Sequence, residues 1–192
     1  MARSVEFDEE LAIRAAMEVF WEKGYKGASL RDLTDAMKIN PSSLYNTIGD
    51  KHALFLRCVQ RYTDDRTTYI ASHRASGRSP VETLKIFIDD AVTNITTNAH
   101  SCMAIKAAFE VAADDIRVQA ILKEDNDAMY RFLCSLLTLA IKNGEIKTEE
   151  DPKLLTDYLI SIYIGWHESF ILDRDATKIK RMARFLLRQL TR

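Results

Sequence analysis

SLRDLTDAMKINPSSLYNTI, residues 29–48, holds two short helix signatures end to end, and its reading decides the fold. Ser29 stands three residues before Asp32, the spacing of a capping box. In that arrangement a hydroxyl and a carboxylate each satisfy a backbone N–H that a helix start leaves unpaired. Leu30, Leu33 and Met37 follow at helical spacing and form an inward edge. Asn40-Pro41 opens the second helix, Asn40 as N-cap and Pro41 at the first helical position, where no N–H is needed. Leu44 and Ile48, four apart, turn the same way. Gly49 stops this helix, and Asp50 caps another that starts at Lys51.

Upstream, residues 8–23 read as a first helix whose buried stripe is Leu11, Ala12, Ala15, Ala16, Val19 and Phe20. Asp8, Glu9 and Glu10 sit at its start, where the helix dipole favours negative charge, and Gly24 ends it. Three short helices capped at each junction make a helix-turn-helix head. Downstream, helical period continues without strand alternation. A long fourth helix runs from Lys51 to about Arg74, and a fifth from Ser79-Pro80 to about Asn98. Further helices cover roughly 102–113, 116–143, 152–172 and 175–190, so the expectation is an all-α chain of about nine helices. The expected division is a helix-turn-helix head over 1–50 and a second helical part over 51–192.

The bulk properties narrow the field. Of 192 residues 47% are apolar, enough for a proper core, yet no run is long enough to span a membrane. Met1 to Glu10 carry no apolar stretch of the signal-peptide kind, so the expected compartment is the cytoplasm. Cys58, Cys102 and Cys134 are odd in number and widely separated, which fits neither a disulfide framework nor a paired-cysteine zinc site. The net charge is −1 and the first 61 residues are neutral overall. A basic excess is confined to Lys38, Lys51, Arg57 and Arg61 against Asp50. Phosphate binding depends on where charges lie, so a local excess is compatible with DNA contact.

With Leu44 and Ile48 turned inward, the third helix leaves Ser42, Ser43, Tyr45, Asn46 and Thr47 on or near its outer face. Asn pairs with adenine in two places, Ser and Thr bond any base, and a Thr methyl packs on thymine. Tyr45, on a rigid stem, more naturally reaches a phosphate. The helix starts at Ser29 and Lys51 offer backbone N–H groups with a hydroxyl or an ammonium to other phosphates. These residues alone fit two readings, a DNA reader or the solvated polar face of an ordinary three-helix bundle.

The longer stretch FWEKGYKGASLRDLTDAMKINPSSLYNTIGDKHALF, residues 20–55, resembles the DNA-binding segment of TetR-family regulators. The matching features come in order: an aromatic and Gly24-Tyr25 after the first helix, Ser29, Leu33-x-x-x-Met37, Ser43-Leu44-Tyr45, and Lys51-x-x-Leu54-Phe55. The resemblance implies backbone contacts from Ser29 and Arg31, and base-facing positions for Pro41, Ser42, Ser43 and Asn46. It implies phosphate contacts from Tyr45 and Lys51, with His52 one of several residues found at its place. Asn46-Thr47 departs from the more frequent aromatic or His residues there, so the operator sequence does not transfer.

The resemblance also implies a homodimer on a palindromic operator in double-stranded DNA, mostly repressing, and released by a small-molecule effector. In such regulators the fifth to seventh helices enclose the ligand and the last two pair with their copies. KLLTDYLISIYIGWHESFIL, residues 153–172, is apolar around most of its circumference and needs neighbours on more than one side. Dimer-interface candidates are Leu155, Leu159, Ile162, Tyr163, Met182, Phe185 and Leu186. Candidates for ligand contact are Met103, Phe109, Met129, Phe132, Trp166, His167 and Phe170, a set suited to an apolar effector with a polar handle, although such stripes also build plain core.

Cys102, at the start of the sixth helix, is a candidate oxidant or electrophile sensor; the alternative is a small buried apolar residue. His100 and Cys102 form a metal pair only in name, since no further ligands stand at metal spacing. Neither a cofactor nor a metal is expected. The chain carries no phosphate loop after a strand, no serine elbow, and no second His to complete a zinc site with His167-Glu168, so an enzyme is not expected either. A helical interaction module that no longer reads DNA is a further alternative, against which the capped helices and Tyr45 and Lys51 stand.

Overall fold

The computed structural model describes residues 8–74, 78–97 and 102–191. Among them are nine α-helices and no strand: α1 Glu9–Gly27, α2 Leu30–Met37, α3 Pro41–Thr47, α4 Lys51–Arg74, α5 Pro80–Thr97, α6 Met103–Ala107, α7 Ile116–Lys142, α8 Pro152–Asp173 and α9 Ala176–Leu190. A π-helical turn, Ala108–Ala112, follows α6 where the periodicity promises an uninterrupted helix. The expected caps are in place. Ser29 and Asp32 close both halves of the capping box, Asn40 accepts from the Ser43 N–H at 2.8 Å, and Asp50 accepts from the Ala53 N–H at 2.8 Å. Asp151 and Asp175 cap α8 and α9.

Two compact units divide the chain: Met1–Asp65 with Cys102–Lys123, and Arg66–Ser101 with Glu124–Arg192. Helices α4 and α7 are each shared between them. In the first unit, Phe20, Leu33, Leu44, Leu54, Cys58 and Val59 are almost wholly buried and form the centre of one core, to which Met103, Val111 and Val118 also belong. Along α1 the inward face is Ala12, Ile13, Ala16, Met17 and Phe20, while Leu11 is exposed. This face is rotated from the expected stripe, because Ile13 and Met17 extend the apolar surface to one side and spacing alone did not choose between the edges.

The first helix does not stop at Gly24; it breaks there and resumes for one turn. Gly24 has φ 75° and ψ 171°, a backbone region open essentially to glycine alone. A break exposes carbonyls before it and N–H groups after it. Residues more than eighty positions away satisfy both sets. Lys106 donates from Nζ to the Trp21 and Glu22 carbonyls at 2.8 and 3.0 Å. Glu110 accepts from the Tyr25 and Lys26 N–H groups at 3.0 and 2.7 Å. The cation meets the negative end of one helical segment and the anion the positive end of the next, as the dipoles require. A Cβ on residue 24 would come within 2.6 Å of the Glu110 carboxylate.

In the second unit, α5 packs on α8 and α9, and α8 on α9. Leu84, Phe132, Leu137 and Ile179 are the most buried large side chains of its core. The start of α5 is held by Glu145, which accepts from the Val81 N–H at 3.0 Å.

Gly24→Ala is expected to lower unfolding stability by about 1–3 kcal/mol through backbone strain, with a further loss from displacing Glu110. Glu110→Ala is expected to cost about 1–2 kcal/mol through its two charge-assisted bonds. Urea denaturation of the two variants measures both effects; wild-type stability in both would show that the break needs no clamp.

Candidate nucleic-acid interface and effector region

A seven-residue helix with one inward side chain presents the rest of itself to solvent. In α3 only Leu44 is buried, at 0% exposure; Pro41, Ser42, Asn46 and Thr47 are exposed and Tyr45 is 52% exposed. Ser43 is half-buried, its N–H given to the Asn40 cap. The exposed side chains hold both donors and acceptors and carry no charge, which suits base edges. Helix α2 packs against α3. Ser29 is exposed but engaged, its hydroxyl donating to Asp32 at 2.6 Å. Lys23 offsets the Asp32 carboxylate at 2.6 Å, and its hydrogen bond, with those from Ser29, holds that carboxyl below the usual range. Arg31 has its side chain 90% exposed, 3.6 Å from Asp35. Lys51 is half-buried, with Nζ 4.8 Å from the centre of the Tyr25 ring.

His52 is engaged by neighbours in the first unit. Its Nε2 meets the Asp115 carboxylate, and Arg117 donates to its Nδ1 at 3.0 Å. Both ring nitrogens are therefore spent within the first unit, in an arrangement that calls for the tautomer protonated on Nε2. The His52 hydrogen bond is also the main cause that lowers the Asp115 carboxyl below its ordinary value. The local basic excess is likewise smaller than a count suggests. Arg57 is paired with Glu9, and Arg61 with Glu10 at 3.0 Å and Asp65 at 3.2 Å.

The seven expected ligand residues divide between the units. Met103 is part of the first unit's core, and Phe109, on the π turn, is 81% exposed. Met129, Phe132, Trp166, His167 and Phe170 belong to the second unit's core or its edge. Phe132 meets the edge of Phe87 at 5.4 Å, and His167 stands against Tyr163 at 4.8 Å. Beside them lie polar residues that sequence reasoning missed. Arg66 bonds Asp125 at 2.9 Å, the Tyr69 hydroxyl donates to Asp90 at 2.6 Å, and His73 lies 3.5 Å from the same carboxylate. The signal available was the spacing of Arg66, Tyr69 and His73, which puts three polar side chains on one face of α4 around buried Ile70.

Cys102 is buried, with its Sγ 3.2 Å from the Tyr62 hydroxyl, and none of the three cysteines is in a disulfide. His100 lies outside the described residues; among those described, no three His, Cys, Asp or Glu side chains gather at a metal-binding spacing. Of the dimer candidates, Leu159 and Leu186 are buried within the second unit and so correct the expectation, while Leu155, Ile162 and Tyr163 pack against its core. Met182 and Phe185 are exposed, and the exposed apolar side chains of α8 are instead Leu154, Tyr158, Ile164, Ile171 and Leu172. Because α8 is apolar all round, its periodicity did not say which side faced the core.

Two family models match: "Bacterial regulatory proteins, tetR family" over residues 12–58 and "Tetracyclin repressor-like, C-terminal domain" over residues 80–186. The chain belongs to the TetR family of transcriptional regulators, all-α helix-turn-helix proteins that bind DNA. It is 31% identical over 165 residues to the HTH-type transcriptional regulator YezE of Bacillus subtilis, covering 83% of this chain and 84% of that one. With the HTH-type transcriptional repressor ComR of Escherichia coli it shares 27% over 188 residues, 95% and 88% of the two chains. A cysteine mutant of the TetR-family regulator CifR, complexed with a 26 bp double-strand operator DNA, superposes with a TM-score of 0.82 at 26% identity, covering 97% and 98%. A TetR-family regulator from Agrobacterium tumefaciens has the same fold, with a TM-score of 0.87 at 18% identity over 95% and 97% of the two chains. No described helix is long and apolar enough to cross a membrane.

Burial, and then the charge of Arg66, push His167 down from 6.5 to about 4. Below pH 6.5 the unfolded chain takes up a proton that the folded chain refuses until about pH 4. Stability therefore falls as pH drops through that window, by up to about 3 kcal/mol from this residue. His167→Gln is expected to remove that part of the slope in urea titrations from pH 7 to 4.5. Identical slopes in the two proteins would show that His167 is not held neutral.

Proposed function

We propose that the protein is a repressor that reads a palindromic operator as a homodimer and leaves it when a small molecule occupies the regulatory part. The observation that carries the reading is the uncharged polar face of α3, exposed while Leu44 anchors the helix. In this reading Ser42, Asn46 and Thr47 meet base edges with Pro41 and Ser43 beside them, and Ser29, Arg31, Tyr45 and Lys51 hold phosphates. His52 acts as a strut between α4 and the start of α7. Residues 1–50 form the reading head and 51–192 the regulatory and dimerising part, working in the cytoplasm as a regulator and not an enzyme. CifR on operator DNA and the repressor ComR support the direction of this reading.

The dimer is assigned to α8 and α9. Leu154, Tyr158, Ile164, Ile171 and Leu172 are exposed on α8, and Met182 and Phe185 on α9. So many large apolar side chains on two packed helices mark a surface that another copy covers. Two heads about 34 Å apart then meet successive major grooves of a palindrome. A small-molecule signal is favoured over oxidation at Cys102, because the thiol is buried against Tyr62 and thiol chemistry needs access.

Gel shifts on DNA flanking the encoding gene, at two salt concentrations, test the reader. Asn46→Ala is expected to cost about 1–3 kcal/mol at particular base pairs, whereas Lys51→Ala weakens every sequence alike and reduces the salt slope by about one. Equal loss on random DNA for Asn46→Ala would remove it from base reading. Sedimentation tests the dimer: Met182→Glu with Phe185→Glu is expected to give folded monomers that no longer hold the operator. A dimer of wild-type stability would move the interface elsewhere.

A further inference from the structure

Three buried polar atoms of the second unit have no hydrogen-bond partner: His73 Nδ1 on α4, Asp125 Oδ1 on α7 and His167 Nε2 on α8. Each belongs to a side chain more than nine-tenths buried. An unmet buried polar group is destabilising, so natural cores keep such groups where something else meets them. Three helical stripes carry these atoms. On α4 the stripe is Arg66, Tyr69 and His73; on α7 it is Asp125, Met129 and Phe132; on α8 it is Tyr163, His167 and Phe170. Each combines polar groups with an aromatic wall. Arg66 links two of them, since it is bonded to Asp125 and its charge acts on His167.

From this arrangement, and resting on the reading of the chain as an effector-controlled regulator, we infer that the effector is a small uncharged molecule with an apolar or aromatic body and one hydroxyl, held between Asp125 and His167. One hydroxyl meets both orphaned atoms when it donates to Asp125 Oδ1 and accepts from His167 Nε2, which requires the neutral imidazole in its Nε2-protonated tautomer. Charge argues against an ionic ligand. Asp125 already answers Arg66, and burial keeps His167 neutral, so an added ion would be buried without a partner. The body lies along Tyr163 and Met129. Trp166 and Phe132, which a purely apolar pocket would use, are packed into the core.

Phenol, toluene and benzoate, of similar size, separate the possibilities in thermal-shift titrations of the full-length protein. Phenol is expected to raise Tm and to bind about tenfold more tightly than toluene, the worth of meeting a buried polar group; benzoate should leave Tm unchanged. Asp125→Asn and His167→Phe are expected to reduce the preference for phenol over toluene to about equality. The wild-type comparison stands even if a variant fails to fold. Equal binding of phenol and toluene would overturn the proposal in favour of a plain apolar cavity, and preference for benzoate in favour of an anion site at Arg66. No shift with any of the three would mean that water alone fills the gap, which also overturns it. Operator release is read separately by gel shift. Phenol that binds with the expected preference but leaves the operator occupied would uphold the site and refute effector control through it.

Discussion

Seven residues with one buried side chain do not make a stable helix, and the placement of α3 is the constraint on which the rest depends. Its start and its one anchor fix it against the rest of the head. Asn40 and Pro41 set its start, and Leu44 enters a core built by Leu33, Phe20 and Leu54. The helices that supply this core are themselves pinned. The capping box holds α2, Asp50 holds the start of α4, and Lys106 and Glu110 bridge the break in α1. A polar face that contributes nothing to folding is thereby kept in one place. That is the condition for reading base edges, whose hydrogen-bonding pattern demands register.

The same division of labour explains the charges. Arg57 and Arg61, which look like phosphate anchors on a count, instead tie α4 to the acidic start of α1. Exposed pairs of this kind contribute little individually, so their effect is mostly on orientation. Arg31 and Lys51 are the cations proposed to meet phosphates, in a chain whose net charge is −1.

Much of the fold was legible in the sequence because its signals are local. A cap and its partner stand three residues apart, Pro41 and Pro152 mark first turns, and Leu33, Met37 and Leu44 lie within a single motif. The chain therefore yielded its helix order and the position of the head. What it concealed depends on distance or on symmetry of pattern. The Gly24 break reads as a helix end because Lys106 and Glu110, which permit the chain to resume, are more than eighty residues away. Helix α8 is apolar on every side, so Leu159 and Phe185 look alike in sequence although one is buried and the other exposed. His52 shows no sign of Asp115 and Arg117. The unmet atoms of Asp125 and His167 exist only once three helices meet, whereas Met103 and Phe109 drew attention through composition alone.

Hydroxyl-radical footprinting of the protein on its operator tests the central claim most directly, because it reads contact without altering the protein. The account predicts two equal protected patches related by the two-fold axis of a palindrome, about one helical turn apart, with protection lost on release. A single unpaired patch, or uniform protection that follows the DNA end to end, would contradict a pair of α3 helices reading successive grooves.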